Sequence, residues 1–291
     1  MRIFQTERKK PWFEGWYFKQ EGETGTLALI PAYHRDGQGH ASASLQIVTE
    51  QGAKWLEFPA EELSANRRLL FVRLGDSTFS RYGCRLHLRK DGVELSGALH
   101  YGPFAAPDSD MMGPFRFVPG MQCRHSVFSF SHRVSGEVTL NGREFLFSGG
   151  TGYVEGDRGC SFPSRYLWTQ CGREGDCVML SVADVPVAGT HFTGCIGSVF
   201  LGGREYRIAT YRGARLLHIS RDAVLVRQGG LLLSVRLLRE NGLALHAPAE
   251  GSMSRTIRES LACTVRYRLT LDGRQVFDFI GERASFESVW D

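Results

Sequence analysis

Two carboxylates, Glu155 and Asp157, lie two residues apart in the stretch Gly152-Tyr153-Val154-Glu155-Gly156-Asp157-Arg158-Gly159-Cys160-Ser161-Phe162-Pro163. On an extended segment both side chains point the same way. Paired acids of this kind can divide into a neutral proton donor and an ionised partner. The structural alternative is that Arg158 or Arg165 neutralises them. The Gly, Asp and Pro content predicts a tight, irregular connection here, followed by a strand. That strand would carry Tyr166, Trp168 and Gln170 on one side and Arg165, Leu167 and Thr169 on the other. A third acid, Glu14, stands among rings in Pro11-Trp12-Phe13-Glu14-Gly15-Trp16-Tyr17-Phe18-Lys19. Loss of hydration among rings raises a carboxyl pKa and favours its proton-donating form. The alternative is that Trp16 and Phe18 plug a barrel while Glu14 pairs with an arginine.

Other chemistries lack their residues. There is no H-E-x-x-H and no tight Cys/His spacing, so no metal is expected. His125 can line a cavity or serve as an ordinary core or surface histidine. No G-x-S-x-G, P-loop or dinucleotide fingerprint occurs, and Gly149-Gly150-Thr151-Gly152 lacks a following helix, so no cofactor is expected.

The chain has 291 residues, 42% hydrophobic and 23% charged, which suits one large or two medium globular domains. A net charge of +4, spread without a basic block, argues against nucleic acid. The first ten residues are charged and carry no apolar signal region. No apolar run approaches the ~20 residues needed to span a bilayer. Seven cysteines without a C-x-x-C read as reduced thiols of a cytoplasmic protein.

The elements that must position the acids are strands. Asp91-Gly92, Asn141-Gly142, Gly202-Gly203, Gly229-Gly230, Asn241-Gly242 and Asp272-Gly273 favour positive φ in two-residue hairpin turns. Alternating segments flank them, and helical periodicity is confined to Glu61–Arg68 and Arg255–Ala262. An all-β protein follows. An offset of 150 residues places Phe18 on Trp168, Gln20 on Gln170, Gly22 on Gly172 and Gly25 on Gly175. Two tandem antiparallel β-barrels related by an internal repeat are expected, residues 1–150 and 151–291, with the boundary somewhere within about 135–165. A barrel of about eight strands can enclose one small ligand. Between Gly102 and Arg124, Pro103, Pro107, Pro114, Pro119 and Gly120 interrupt Phe104, Met111, Met112, Phe115 and Phe117. Such an apolar loop either covers a barrel mouth or domain junction, or is an ordinary connection with its rings in the core.

Phe13-Glu14-Gly15-Trp16-Tyr17-Phe18-Lys19 resembles the F-E-G-W-Y-F-K stretch of the tocopherol cyclase family. Gly152 to Gly159, Phe162-Pro163 and Trp168-Thr169-Gln170 resemble its G-[YW]-x-E-x-[DN]-W-G-x-x-F-P-x-x-[WY]-x-W-x-Q pattern. Weaker likeness runs through Gly142-Arg143-Glu144-Phe145 and Leu245-His246-Ala247-Pro248. Arg158 stands where that family usually carries a tryptophan, and the chain is shorter than the plant enzymes.

The resemblance implies a pair of lipocalin-like barrels, similar to those of carotenoid hydratases, and chromanol ring closure. An acid protonates a prenyl double bond, and a phenol oxygen traps the tertiary cation. Under that reading Glu155 or Asp157 is the donor and Glu14 the second candidate. Trp16, Tyr17, Tyr153, Tyr166, Trp168 and His125 would line the pocket, and Gln170 would orient the polar head. A nearby Arg158 would hold a carboxylate ionised. Hydration of an isoprenoid double bond and non-catalytic carriage of a hydrophobic small molecule remain open. A peripheral membrane contact is compatible with the 102–124 loop.

Overall fold

A computed structural model describes residues 10–118, 121–187, 190–241 and 243–290. The N-terminal residues 1–9, Pro119, Gly120 and Gly242, which bear on expectations above, lie outside the described residues. Among those described, the molecule is all-β, with short 3-10 turns and no α-helix.

The first sheet contains β1 (Trp12–Glu21), β2 (Thr26–Arg35), β3 (Ala41–Thr49), β4 (Gly52–Pro59), β5 (Leu63–Asn66), β6 (Phe71–Leu74), β7 (Ser77–Ser80), β8 (Gly83–Lys90), β9 (Val93–Tyr101), β10 (Cys123–Leu140) and β11 (Arg143–Gly159). The second contains β12 (Tyr166–Arg173), β13 (Asp176–Val187), β14 (Thr190–Leu201), β15 (Arg204–Ala209), β16 (Arg215–Ile219), β17 (Ala223–Gln228), β18 (Leu231–Arg239), β19 (Leu243–Ala249), β20 (Ser252–Leu271) and β21 (Arg274–Ser288). Strand order is β4-β3-β2-β1-β11-β10-β9-β8-β7-β6-β5 in one and β15-β14-β13-β12-β21-β20-β18-β17-β16 in the other, with β19 paired to β20. The orders match from β4 with β15 through β1 with β12 and β11 with β21 to β7 with β16, and β6 and β5 extend the first sheet beyond that match. Each sheet curls around its own apolar core, giving two tandem lipocalin-like barrels.

The hairpin turns have a local cause. Asp91-Gly92, Asn141-Gly142, Gly202-Gly203 and Asp272-Gly273 hold φ near +50° and +80° at successive positions, the type I′ geometry that matches strand twist.

Three expectations need correction. Residues 152–159 are not an irregular connection but the end of β11, and the sheets change between Gly159 and Tyr166. Residues 255–262 lie in β20, and Glu61–Arg68 yields only the 3-10 turn Ala60–Glu62 before β5. Here tertiary pairing overrides a weak local preference.

The third concerns the repeat. Gly15 pairs with Ala32 as Tyr166 pairs with Ala183, and Phe18 pairs with Leu29 as Thr169 pairs with Leu180. The true offset is thus 151 residues, which puts Tyr17, not Phe18, on Trp168. A one-residue slip flips every side chain to the other face. Phe18 enters the first barrel's core, whereas Tyr17 and Trp168 face a third cluster between the barrels.

Candidate active site between the barrels

A cavity of about 550 Å³ lies between the two barrels. That is within the ~300–1,000 Å³ range of pockets that bury small ligands. Its lining is mainly apolar and comes from β1, β2, β3, β10, β11, β12, β13, β14, β19, β20 and β21 together with the segment after Asp110 and the connection at Phe162-Pro163. A ring series runs along it: Phe13 meets Phe162 edge-on at 5.4 Å, Phe162 meets Tyr166 at 5.8 Å, and Tyr17 meets Trp168 at 5.7 Å.

The 102–118 segment forms part of this wall through Met112, Phe115 and Val118. Arg207, buried beside Glu205, donates to the carbonyls of Ser109 and Asp110, and Tyr211 Oη donates to the Met111 carbonyl. The apolar loop is held by its backbone, which leaves its side chains to cover the cavity.

Strand register explains why the acids meet the cavity. On β11, Asp157 is flanked by Gly15 on one side and His125 on the other. Glu155 lies two residues back on the same face, flanked by Tyr17 and Val127. His125 Nδ1 is 3.1 Å from Asp157 Oδ1, and Nε2 is 3.3 Å from Glu155 Oε2. Tyr153 Oη donates to Glu155 Oε2. Burial pulls the His125 pKa down, but the charges of Glu155 and Asp157 and the hydrogen bonds to them raise it well above the usual histidine value. His125 is therefore an imidazolium between two carboxylates. These three residues offer possible ligand atoms within 4.8 Å of one another. The carboxylates approach opposite ring nitrogens, however, which suits charge pairing through the ring better than a shared ion.

A fourth acid completes the site. Glu287 on β21 is directly opposite Trp168 on β12, and both line the cavity. Glu287 is buried, and its Oε1 has no hydrogen-bond partner. Burial and then the negative charges of Asp157 and Glu155 raise its pKa well above the ordinary carboxyl value. Trp168 Nε1 is likewise buried without a partner.

Of the residues singled out in sequence, Glu155, Asp157, His125, Tyr17, Tyr166 and Trp168 line this cavity. The others are placed elsewhere. Glu14 is buried against Arg67, which donates to both its carboxylate oxygens, so it faces a guanidinium and not the cavity. Trp16 belongs to the first barrel's core. Tyr153 meets the site through Glu155 and through an edge-on contact of its ring with Tyr17 at 6.5 Å, and Gln170 accepts from Lys19 Nζ at 3.2 Å. Neither Arg158 nor Arg165 neutralises the motif acids: His125 does so, Arg165 pairs with Asp184, and Arg158 forms no ion pair among the described residues. Glu287 carried no local signal, because Ala284-Ser285-Phe286-Glu287 reads as an ordinary alternating strand.

No helix of the described residues is long and apolar enough to cross a membrane. The seven cysteines are free thiols.

No family profile and no curated protein matches this sequence. Solved structures do. CghA, solved with Sch210972, superposes with a TM-score of 0.63 at 11% identity, covering 96% of this chain and 88% of that one. Kievitone hydratase from Nectria haematococca superposes with a TM-score of 0.56 at 10% identity, covering 97% and 89%. An AttH candidate from Nitrosomonas europaea gives a TM-score of 0.52 at 14% identity, covering 100% and 96%. The chain shares the two-barrel fold of these proteins over nearly its whole length.

Proposed function

We propose that this protein binds an unsaturated, largely apolar small molecule between its barrels and transfers a proton to a carbon–carbon double bond. Glu287 is the donor in this reading. The observation that carries it is a buried carboxyl with a raised pKa and an oxygen that has no hydrogen-bond partner, on a residue that lines an apolar cavity. A carboxylic acid must be kept neutral to donate, and an apolar setting does so. A carrier protein would need no such group, since its acids could all be paired.

Protonation consumes the π pair, forms a C–H bond and leaves a tertiary cation on the neighbouring carbon. Tyr17, Tyr166 and Trp168 face the cavity, and desolvated cation–π attraction is worth up to about 2 kcal/mol. The His125–Glu155–Asp157 group has one positive and two negative charges, so it also favours a nearby cation. An oxygen nucleophile then forms the C–O bond, and its proton passes to the Glu287 carboxylate or to the acids beside His125.

The nucleophile separates two forms of this reaction. With a phenol oxygen the product is a chroman, as the tocopherol cyclase resemblance of the two motifs suggests. With water it is a tertiary alcohol, the reaction type named for kievitone hydratase, which shares the fold. Incubating the protein with a geranylgeranyl hydroquinone in D2O tests both. Either reaction places one deuterium on carbon, and only hydration adds the mass of water. Glu287→Gln should retain binding and lose about 10²–10⁴ in rate, the usual contribution of a general acid. Unchanged turnover in that variant would remove Glu287 as donor.

A further inference from the structure

A second polar group meets the same cavity away from the acids. His34 on β2 lines it, is 3% exposed, and has no partner for Nδ1. Its Nε2 is 2.7 Å from Ser44 Oγ, which fixes the ring. Neighbouring polar groups are already engaged: Gln46 exchanges hydrogen bonds of 3.0 and 2.9 Å with the His246 backbone. His246 Nδ1 lies 3.2 Å from the Met253 carbonyl. Burial lowers the His34 pKa to about 3, so the ring is neutral. A buried polar atom without a partner is costly, and a ligand atom that bonds to it recovers that cost.

The floor between His34 and the acids is kept low. Asp157 pairs with Gly15, Gly15 with Ala32, and His34 follows two residues along β2. Two strand spacings and two residues put His34 about 12 Å from Asp157 along the sheet. The side chain raised on this path is the Ala32 methyl, and the Phe13 ring, directly across from His34, walls the cavity beside it. The cavity therefore has an acid end, a shallow apolar middle and a neutral imidazole end.

Ring chemistry narrows what fits. If Ser44 donates to Nε2, Nδ1 bears the proton and donates; if Nε2 donates to Ser44, Nδ1 accepts. A hydroxyl satisfies either tautomer, whereas a carbonyl satisfies only the first. We propose that His34 anchors a hydroxyl group of the ligand, so that the substrate is an unsaturated alcohol whose oxygen lies remote from the protonated double bond. This rests on the reading that an apolar unsaturated molecule occupies the cavity.

Calorimetric titration with farnesol and with β-farnesene, a C15 chain that lacks the hydroxyl and carries one more double bond, tests it. Comparing the ratio of the two affinities between variants cancels their different hydrophobicity. His34→Phe should reduce the farnesol preference by about 3- to 10-fold, the worth of one hydrogen bond. Ser44→Ala keeps the ring but frees Nε2, and should give a smaller loss in the same direction. Glu287→Gln should keep the preference. If both probes bind and the ratio is the same in His34→Phe and Ser44→Ala, the anchor is refuted and the cavity reading stands. A preference lost in Glu287→Gln instead would place the hydroxyl at the acid end and likewise refute the anchor. If neither probe binds, both readings fall.

Discussion

Glu155 and Glu287 occupy equivalent positions in the two barrels: each lies directly across a strand pair from a ring on the cavity wall, Tyr17 for Glu155 and Trp168 for Glu287. Tyr17 and Trp168 are themselves related by the 151-residue offset. The duplicated carboxyls have different surroundings. Glu155 has the Tyr153 hydroxyl and the His125 imidazolium, while Glu287 Oε1 has no partner. Two acids in contrasting environments are what a division of labour between neutral donor and ionised partner requires.

That difference makes stability depend on pH through Glu287. Its pKa is raised in the folded protein above the unfolded value of 4.5. Below about 4.5 both states hold the proton and nothing is lost. As pH rises from there towards the folded pKa, only the unfolded chain releases it, and stability falls by up to about 1.4 kcal/mol per pH unit. Glu287→Gln removes this loss. Urea midpoints should therefore match in acid and favour the variant increasingly towards neutral pH.

His125 should prove structural as well as electrostatic. His125→Gln leaves Glu155 and Asp157 in place without their cation, with side chains only 7% and 22% exposed. Removing one partner of a buried ion pair costs about 3–5 kcal/mol. A fall of that size in unfolding free energy at neutral pH is expected.

Gly15 separates stability from binding. An added Cβ would find only the Ala32 Cβ within reach, at 3.5 Å, an ordinary contact. Gly15→Val should therefore melt at or above the parent temperature, since a β-branched residue suits a strand. Its methyls enter the cavity opposite Asp157, and binding of farnesol should be lost.

The Glu14–Arg67 pair gives a structural control. Arg67→Ala strands a buried carboxylate whose side chain is 4% exposed. Because Arg67 is itself 38% exposed, the loss should be nearer 2 kcal/mol than the full cost of a buried pair. Thermal melting measures it.

How much was legible in the sequence follows from the range of each cause. The Asp-Gly and Asn-Gly turns are local, since the dipeptide itself sets positive φ, and so the hairpins and all-β class could be read. The Glu155/Asp157 spacing is also local, and a strand keeps both on one face. Glu287 depends on pairing with Trp168 across β12 and β21, and His125 on pairing with Asp157 across β10 and β11. No short window contains either relation. The repeat was visible but placed one residue off, because Gly and apolar matches do not record which face a side chain takes. Glu14 misled for the same reason: its neighbours in sequence are rings, while its partner in space is Arg67.

Infrared difference spectroscopy of the ligand-free protein against Glu287→Gln at neutral pH addresses the protonation of Glu287 directly. A buried neutral carboxyl gives the C=O stretch of a carboxylic acid, well separated from carboxylate bands. That band should be present in the parent and missing from the variant. A parent spectrum with only carboxylate bands at this position would contradict the account.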